Sequence, residues 1–125
     1  MSTSVRYVRL YADASGDSRI ERDLRAHVKQ TDFVPPAPAI FVSAVEPASG
    51  YAFLIVPIGD FGDWHPSPKR QWIIFLSGQM EFEVSDGERY LGQPGAAVLL
   101  EDTSGRGHRS RVLGDEPAIM VAVQT

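Results

Sequence analysis

Imidazole exchanges protons near neutral pH and binds divalent metals, so chemistry in this sequence is first sought at its three histidines, His27, His65 and His108. His65 stands in Asp63-Trp64-His65-Pro66, and His108 closes the run Glu101-Asp102-Thr103-Ser104-Gly105-Arg106-Gly107. His27 lies in a polar stretch and reads as a surface residue. Cysteine is absent, which excludes a thiolate nucleophile, a disulfide, a thiolate zinc site and an iron–sulfur cluster. The glycines fit neither a dinucleotide fingerprint nor a P-loop, and there is no Gly-x-Ser-x-Gly elbow, so a serine hydrolase is disfavoured.

Charge narrows the partners. Twelve Lys and Arg against sixteen Asp and Glu leave a net charge of −4, the wrong sign for a general phosphate-backbone binder, so nucleic acid is not expected. Arg106, bracketed by Gly105 and Gly107 in a loop with Asp102, is the cation best placed to reach an anionic substrate. The opening Met1-Ser2-Thr3-Ser4-Val5-Arg6 lacks the apolar core of a secretory leader. No apolar run approaches the roughly 20 residues that span a bilayer, so the expectation is a cytoplasmic protein without a membrane partner.

The elements that must position these groups read as strands. At 125 residues and 43% hydrophobic, the chain has room for one domain. Val5 to Tyr11 alternates apolar and polar, and its arginines suit an edge position. Ile20 to Val28 fits both helical and strand spacing and is read as extended. The rigid Pro35-Pro36-Ala37-Pro38 separates this front part, residues 1–38, from residues 39–125. Beyond it, Ile40–Val45, Tyr51–Pro57, Gln71–Leu76, Gln79–Ser85, Tyr90–Leu91, Ala97–Leu100, His108–Leu113 and Ala118–Val123 are short, rich in β-branched and aromatic residues, and bounded by turn formers. Asp86-Gly87 is a hairpin signal. Many short strands at even spacing predict an all-β sandwich or barrel.

Alternation then sorts side chains. Met80, Phe82 and Val84 share a packed face. Gln71, Ile73 and Phe75 form one lining set, His108, Ser110 and Val112 a second, and Tyr51, Phe53 and Ile55 a third, with Arg109 and Arg111 opposite His108. Trp72 to Leu76 is apolar on both faces and calls for a cover on its outer side, by another sheet or a partner subunit. Tyr51, Phe53, Trp64, Phe75 and Phe82 would make a pocket for a planar or largely apolar molecule. The competing view is that aromatics in a small β domain are ordinary core.

Between Gly59 and Gly78 the sequence resembles the cupin family, whose first motif is a Gly, five residues, His, one residue, His, three or four residues, Glu, six residues, Gly. Gly59, His65, Ser67, Gln71 and Gly78 fall on those positions. The second motif, a Pro-Gly turn followed by a strand, a loop and a His, is similar to Pro94-Gly95 through His108, with a loop from Glu101 to Gly107 about two residues longer than usual. The resemblance covers roughly Tyr51 to Val123. It implies a single-domain jelly-roll β-barrel, a double-stranded β-helix, and a homodimer.

It also implies a metal site at His65, Ser67, Gln71 and His108. Ser67 is a poor ligand and Gln71 a neutral amide, so one divalent metal, iron, zinc, nickel or manganese, would be held weakly by His65, Gln71 and His108. An oxygenase site would need Glu101 or Asp102 turned inward. Without metal, His65 and His108 beside Gln71 are an acid–base set. The expected function is an enzyme performing dehydration, isomerisation, cyclisation or a lyase step on a small organic substrate. His65, His108 and Gln71 would act, with Tyr51, Phe53, Trp64, Phe75, Asp102 and Arg106 holding the substrate. The alternatives are a metal-dependent dioxygenase and a non-catalytic ligand-binding barrel.

Overall fold

In a computed structural model, which describes residues 4–125, the chain forms eleven strands and two sheets. They are β1 (Ser4–Ala12), β2 (Ser18–Thr31), β3 (Ile40–Ser43), β4 (Gly50–Val56), β5 (Gly59–Asp60), β6 (Gln71–Ser77), β7 (Gln79–Glu83), β8 (Arg89–Gly92), β9 (Ala97–Glu101), β10 (Arg109–Leu113) and β11 (Ala118–Gln124). The large sheet runs β3-β2-β1-β9-β6-β11-β4 and the small one β5-β10-β7-β8. Strands β4 to β11 therefore pass back and forth between two four-strand arrays, 4-11-6-9 and 5-10-7-8, with only the β7–β8 hairpin staying in one sheet, which is the jelly-roll winding. The expected all-β jelly roll is the fold. Met1 to Thr3, on which part of the leader reading rests, lie outside the described residues. Among the described residues no helix is long and apolar enough to cross a membrane.

Ile20 to Val28 is extended, within β2. Its ambiguous periodicity comes from a bulge: the β1–β2 register slips between Tyr7 and Arg9, and Asp23 opposite has φ of 58°. The edge position expected for the first strand is corrected. β1 lies between β2 and β9, antiparallel to one and parallel to the other. Its arginines do not need an edge, because Arg9 pairs with Glu21 and Glu101 across both neighbours and Arg6 lies 3.8 Å from Asp23.

The core lies between the sheets. From the large sheet come Val8, Leu10, Ile73, Phe75, Val98, Leu100, Met120 and Ala122, and from the small one Met80, Phe82 and Val112. Phe75 and Phe82 meet edge to face, ring centroids 6.1 Å apart, so one aromatic pair joins the sheets. Gly92 is a glycine because a Cβ there would lie 2.4 Å from the Phe75 ring.

Candidate functional site

His108 directly precedes β10 and keeps the phase that buries Ser110 and Val112, while Arg109 and Arg111 point out, as alternation predicts. Its backbone pairs with the loop strand at His65: His65 N donates to His108 O at 2.9 Å, and His108 N to His65 O at 3.0 Å. Gly107 permits this approach. Its φ is 73°, and a Cβ there would lie 1.9 Å from His65 O. The two rings are tilted against each other with centroids 5.2 Å apart.

Behind His108 sits a buried polar chain. Asp102, the last inward residue after β9, is fully buried, and its Oδ2 lies 2.7 Å from His108 Nδ1. Ser18, also fully buried at the start of β2, donates its hydroxyl to the same Oδ2 at 2.9 Å. With the carboxylate accepting, His108 carries its hydrogen on Nδ1 and leaves Nε2 as the acceptor. His65 Nδ1 is 2.8 Å from the carbonyl of Asp63, which only accepts, so its Nδ1 also carries the hydrogen. Asp102 Oδ1 and Ser110 Oγ are buried without a protein partner.

Gln71 reaches the same end of the barrel, its Nε2 3.4 Å from Ser67 Oγ, a long and weak bond. Ser67 is buried, donates its hydroxyl to Lys69 O at 2.7 Å, and is tied by its amide to Asp102 O at 2.9 Å. His65, Ser67, Gln71, Asp102 and His108 thus belong to one neighbourhood, in the register the motif positions imply.

The expected pocket is arranged differently. Tyr51, Phe53 and Ile55 do not line the interior. They are 74%, 70% and 68% exposed on the outer face, and Leu54 and Val56 turn inward instead. Every side chain of Tyr51-Ala52-Phe53-Leu54-Ile55-Val56 is apolar, so the pattern could not say which set faced in. Trp64 is not a pocket wall either: it lies outside under the Arg109 guanidinium, 4.9 Å from the ring centroid. Arg106 is turned from the mouth and paired with Asp17 of the β1–β2 turn, where its backbone N also donates to Gly16 O at 3.0 Å. Phe75 is inside, but as packed core.

Two neighbours of the site carried no signal in sequence. Ser18 is 84 residues from Asp102, so only folding joins them. Phe61, half exposed, sets its ring 6.0 Å from His65 and begins an aromatic column that continues through His108 and Phe82 to Phe75. That column fills the barrel axis with side chains.

The residues present do not fit a firmly held divalent metal. Among those described, no group of three or more His, Cys, Asp or Glu side chains is disposed to hold an ion. Asp102 is engaged on Nδ1 of His108, and Glu101 faces away, accepting from Arg9 at 2.9 Å and Arg70 at 2.7 Å. Two imidazole nitrogens and an amide oxygen remain, short of the donor charge and number such a site uses.

No curated protein matches the sequence. The structure has a distant likeness to the crystal structure of a Neisseria meningitidis protein, with 17% identity, TM-score 0.44, and 65% of this chain and 88% of that one covered. A putative ethanolamine utilization protein Q from Salmonella typhimurium is similar at 11% identity and TM-score 0.45, over 98% of this chain and 97% of that one. A family model described as a cupin domain matches residues 52–124, which takes in β4 to β11 apart from Gly50 and Tyr51 of β4. With more than half its length matched and the jelly-roll winding present, the chain belongs to the cupin domain family.

Proposed function

We propose that this cupin binds one small organic molecule at the barrel mouth and moves a proton on it through the His65–His108 pair. The observation that carries the reading is the buried hydrogen bond from His108 Nδ1 to Asp102, itself held by Ser18. A carboxylate on Nδ1 fixes both the tautomer and the ring orientation, which turns Nε2 into a positioned base. His65, with its own Nδ1 on a carbonyl, is the second proton carrier. Gln71 offers an amide to orient the substrate, and Phe61 an apolar wall. Because Phe75, Phe82 and Met120 fill the axis, the molecule is small and sits at the rim. Proton removal and return, as in dehydration, isomerisation, cyclisation or a lyase elimination, is the step two imidazoles serve. The filled axis also favours a second reading, a carrier of a small ligand without chemistry.

The test is a library of small hydroxy, keto and amino acids screened by NMR on the imidazole resonances of His65 and His108, in deuterated water. A compound that shifts both rings, and exchanges a carbon-bound hydrogen for deuterium with wild type but not with His108→Gln, bears out the reading. Shifts without exchange or turnover favour the carrier. A library in which neither ring responds sinks both.

A further inference from the structure

We infer that the β1–β2 turn is a working part of the His65–His108 site, and that Ser18 is a positioning residue which fixes the tautomer and ring orientation of His108 through Asp102. The turn lies outside residues 52–124, the span that the cupin domain model matches. Three successive residues of it each take one partner from the loop that leads to His108. Gly16 O accepts from Arg106 N at 3.0 Å, Asp17 pairs with the Arg106 guanidinium, and the Ser18 hydroxyl donates to Asp102 Oδ2 at 2.9 Å. The approach is close enough to demand glycine: a Cβ on Gly105, whose φ is 76°, would lie 2.3 Å from Gly16 O.

The turn is a stiff support. Asp13 Oδ1 accepts from the backbone N of Ser15 at 2.8 Å and of Asp17 at 3.1 Å, and Asp13 N donates to Asp17 O at 2.8 Å. Ser85, beside the β7–β8 hairpin turn, donates to Asp17 at 3.0 Å, and Arg19 joins Asp13 to Asp86 of that turn. Both sheets therefore hold it in place. Ser18 and Asp102 are fully buried, where a hydroxyl is poor filler, because its burial costs free energy unless it is hydrogen-bonded. Ser18 and His108 Nδ1 converge on Oδ2, while Oδ1 takes nothing from the described residues. Held by one bond, the carboxylate would be free to swing and present His108 with either oxygen. Held by two, it has one setting, and it stays the acceptor that keeps the ring hydrogen on Nδ1. The inference rests on the proton-transfer reading for the use made of Nε2, whereas the positioning is read on the ring itself.

Ring-nitrogen NMR of the full chain, with isotopically labelled histidine and no added ligand, tests this. Wild type should show His108 with its hydrogen on Nδ1, exchanging slowly with water. Ser18→Ala should mix in the other tautomer and speed that exchange on the order of tenfold or more, the size expected when a hydrogen bond to a charged group is lost. Ser18→Thr, which keeps the hydroxyl, should restore the wild-type signals. Arg106→Ala, on an exposed side chain, should loosen the turn and speed the exchange by about threefold, whereas Lys29→Gln, remote on β2, should change nothing. Circular dichroism checks the folding of each variant, and if Ser18→Ala unfolds, Arg106→Ala decides by the same signal. A folded Ser18→Ala whose His108 tautomer and exchange match wild type overturns the inference. So does an unchanged ring in Arg106→Ala beside an unfolded Ser18→Ala, or a folded Ser18→Thr that behaves as Ser18→Ala does. A ring that responds as expected, in a chain that exchanges no hydrogen of any compound, bears out the positioning and sinks the proton-transfer reading alone.

Discussion

The outer faces of the two sheets differ in kind. On the small sheet, β7 and β10 send out Glu81, Glu83, Arg109 and Arg111, and these neutralise one another. Arg109 Nε donates to Glu83 at 2.8 Å, Arg89 lies 3.7 Å from both glutamates, and Arg111 lies 3.8 Å from Asp60. The Arg109 hydrogen bond, foremost, holds the Glu83 carboxyl below its usual range. The β4, β11 and β6 part of the large sheet presents aromatic and branched aliphatic side chains instead. Both sheets bury an apolar inner face, so the contrast does not arise from the core. It leaves charged side chains in water on the small sheet and exposed apolar ones on the β4 side of the large sheet.

The contrast is broken hardest from within, at the contact that joins the sheets. Phe82→Ala removes the ring that meets Phe75 and should cost about 3–5 kcal/mol in urea unfolding, whereas Phe53→Ala, measured where the chain is monomeric, should cost little. Next comes the loop that ties the small sheet to the site. Gly107→Ala puts a Cβ into His65 O at a left-handed φ, and a loss of at least about 3 kcal/mol is expected, with the His65–His108 bridge opened in NMR. An intact bridge in that variant would show that the loop yields.

The smallest effect sharpens the comparison at the ionic corner of the large sheet. Burial acts to raise the Glu101 carboxyl, but hydrogen bonds from Arg70 and Arg9 outweigh it and leave the group below its ordinary value. A lowered carboxylate contributes stability that is complete above the ordinary range near pH 4.3 and is lost as pH falls through the folded value. Glu101→Gln should therefore be less stable than wild type at neutral pH, by under about 1 kcal/mol, with the gap closing in acid. A gap that widens in acid would contradict the sign.

How far the fold and the site were legible depends on the residues. Met80, Phe82 and Val84 alternate with Gln79, Glu81 and Glu83, so one face was plainly wet, and the structure agrees. Gly59, His65, Gln71 and Gly78 kept a family spacing, and in the fold His65 pairs with His108 while Gln71 lies beside Ser67. Arg106 misled, because a loop cation reads the same whether it meets a substrate or Asp17. Trp64 misled for the same reason, its partner Arg109 being 45 positions away.

Residue order alone thus carries the all-β class, the turns and the spacing of the cupin motif, whose resemblance implied that His65 meets His108. Those follow from local geometry: strand period, glycine at left-handed turns and fixed spacing within a motif. Folding alone decides that Tyr51 and Phe53 face outward, since a strand apolar at every position gives alternation nothing to distinguish. It alone brings Ser18 to Asp102, because a buried hydrogen bond across 84 residues depends on two sheets closing over it.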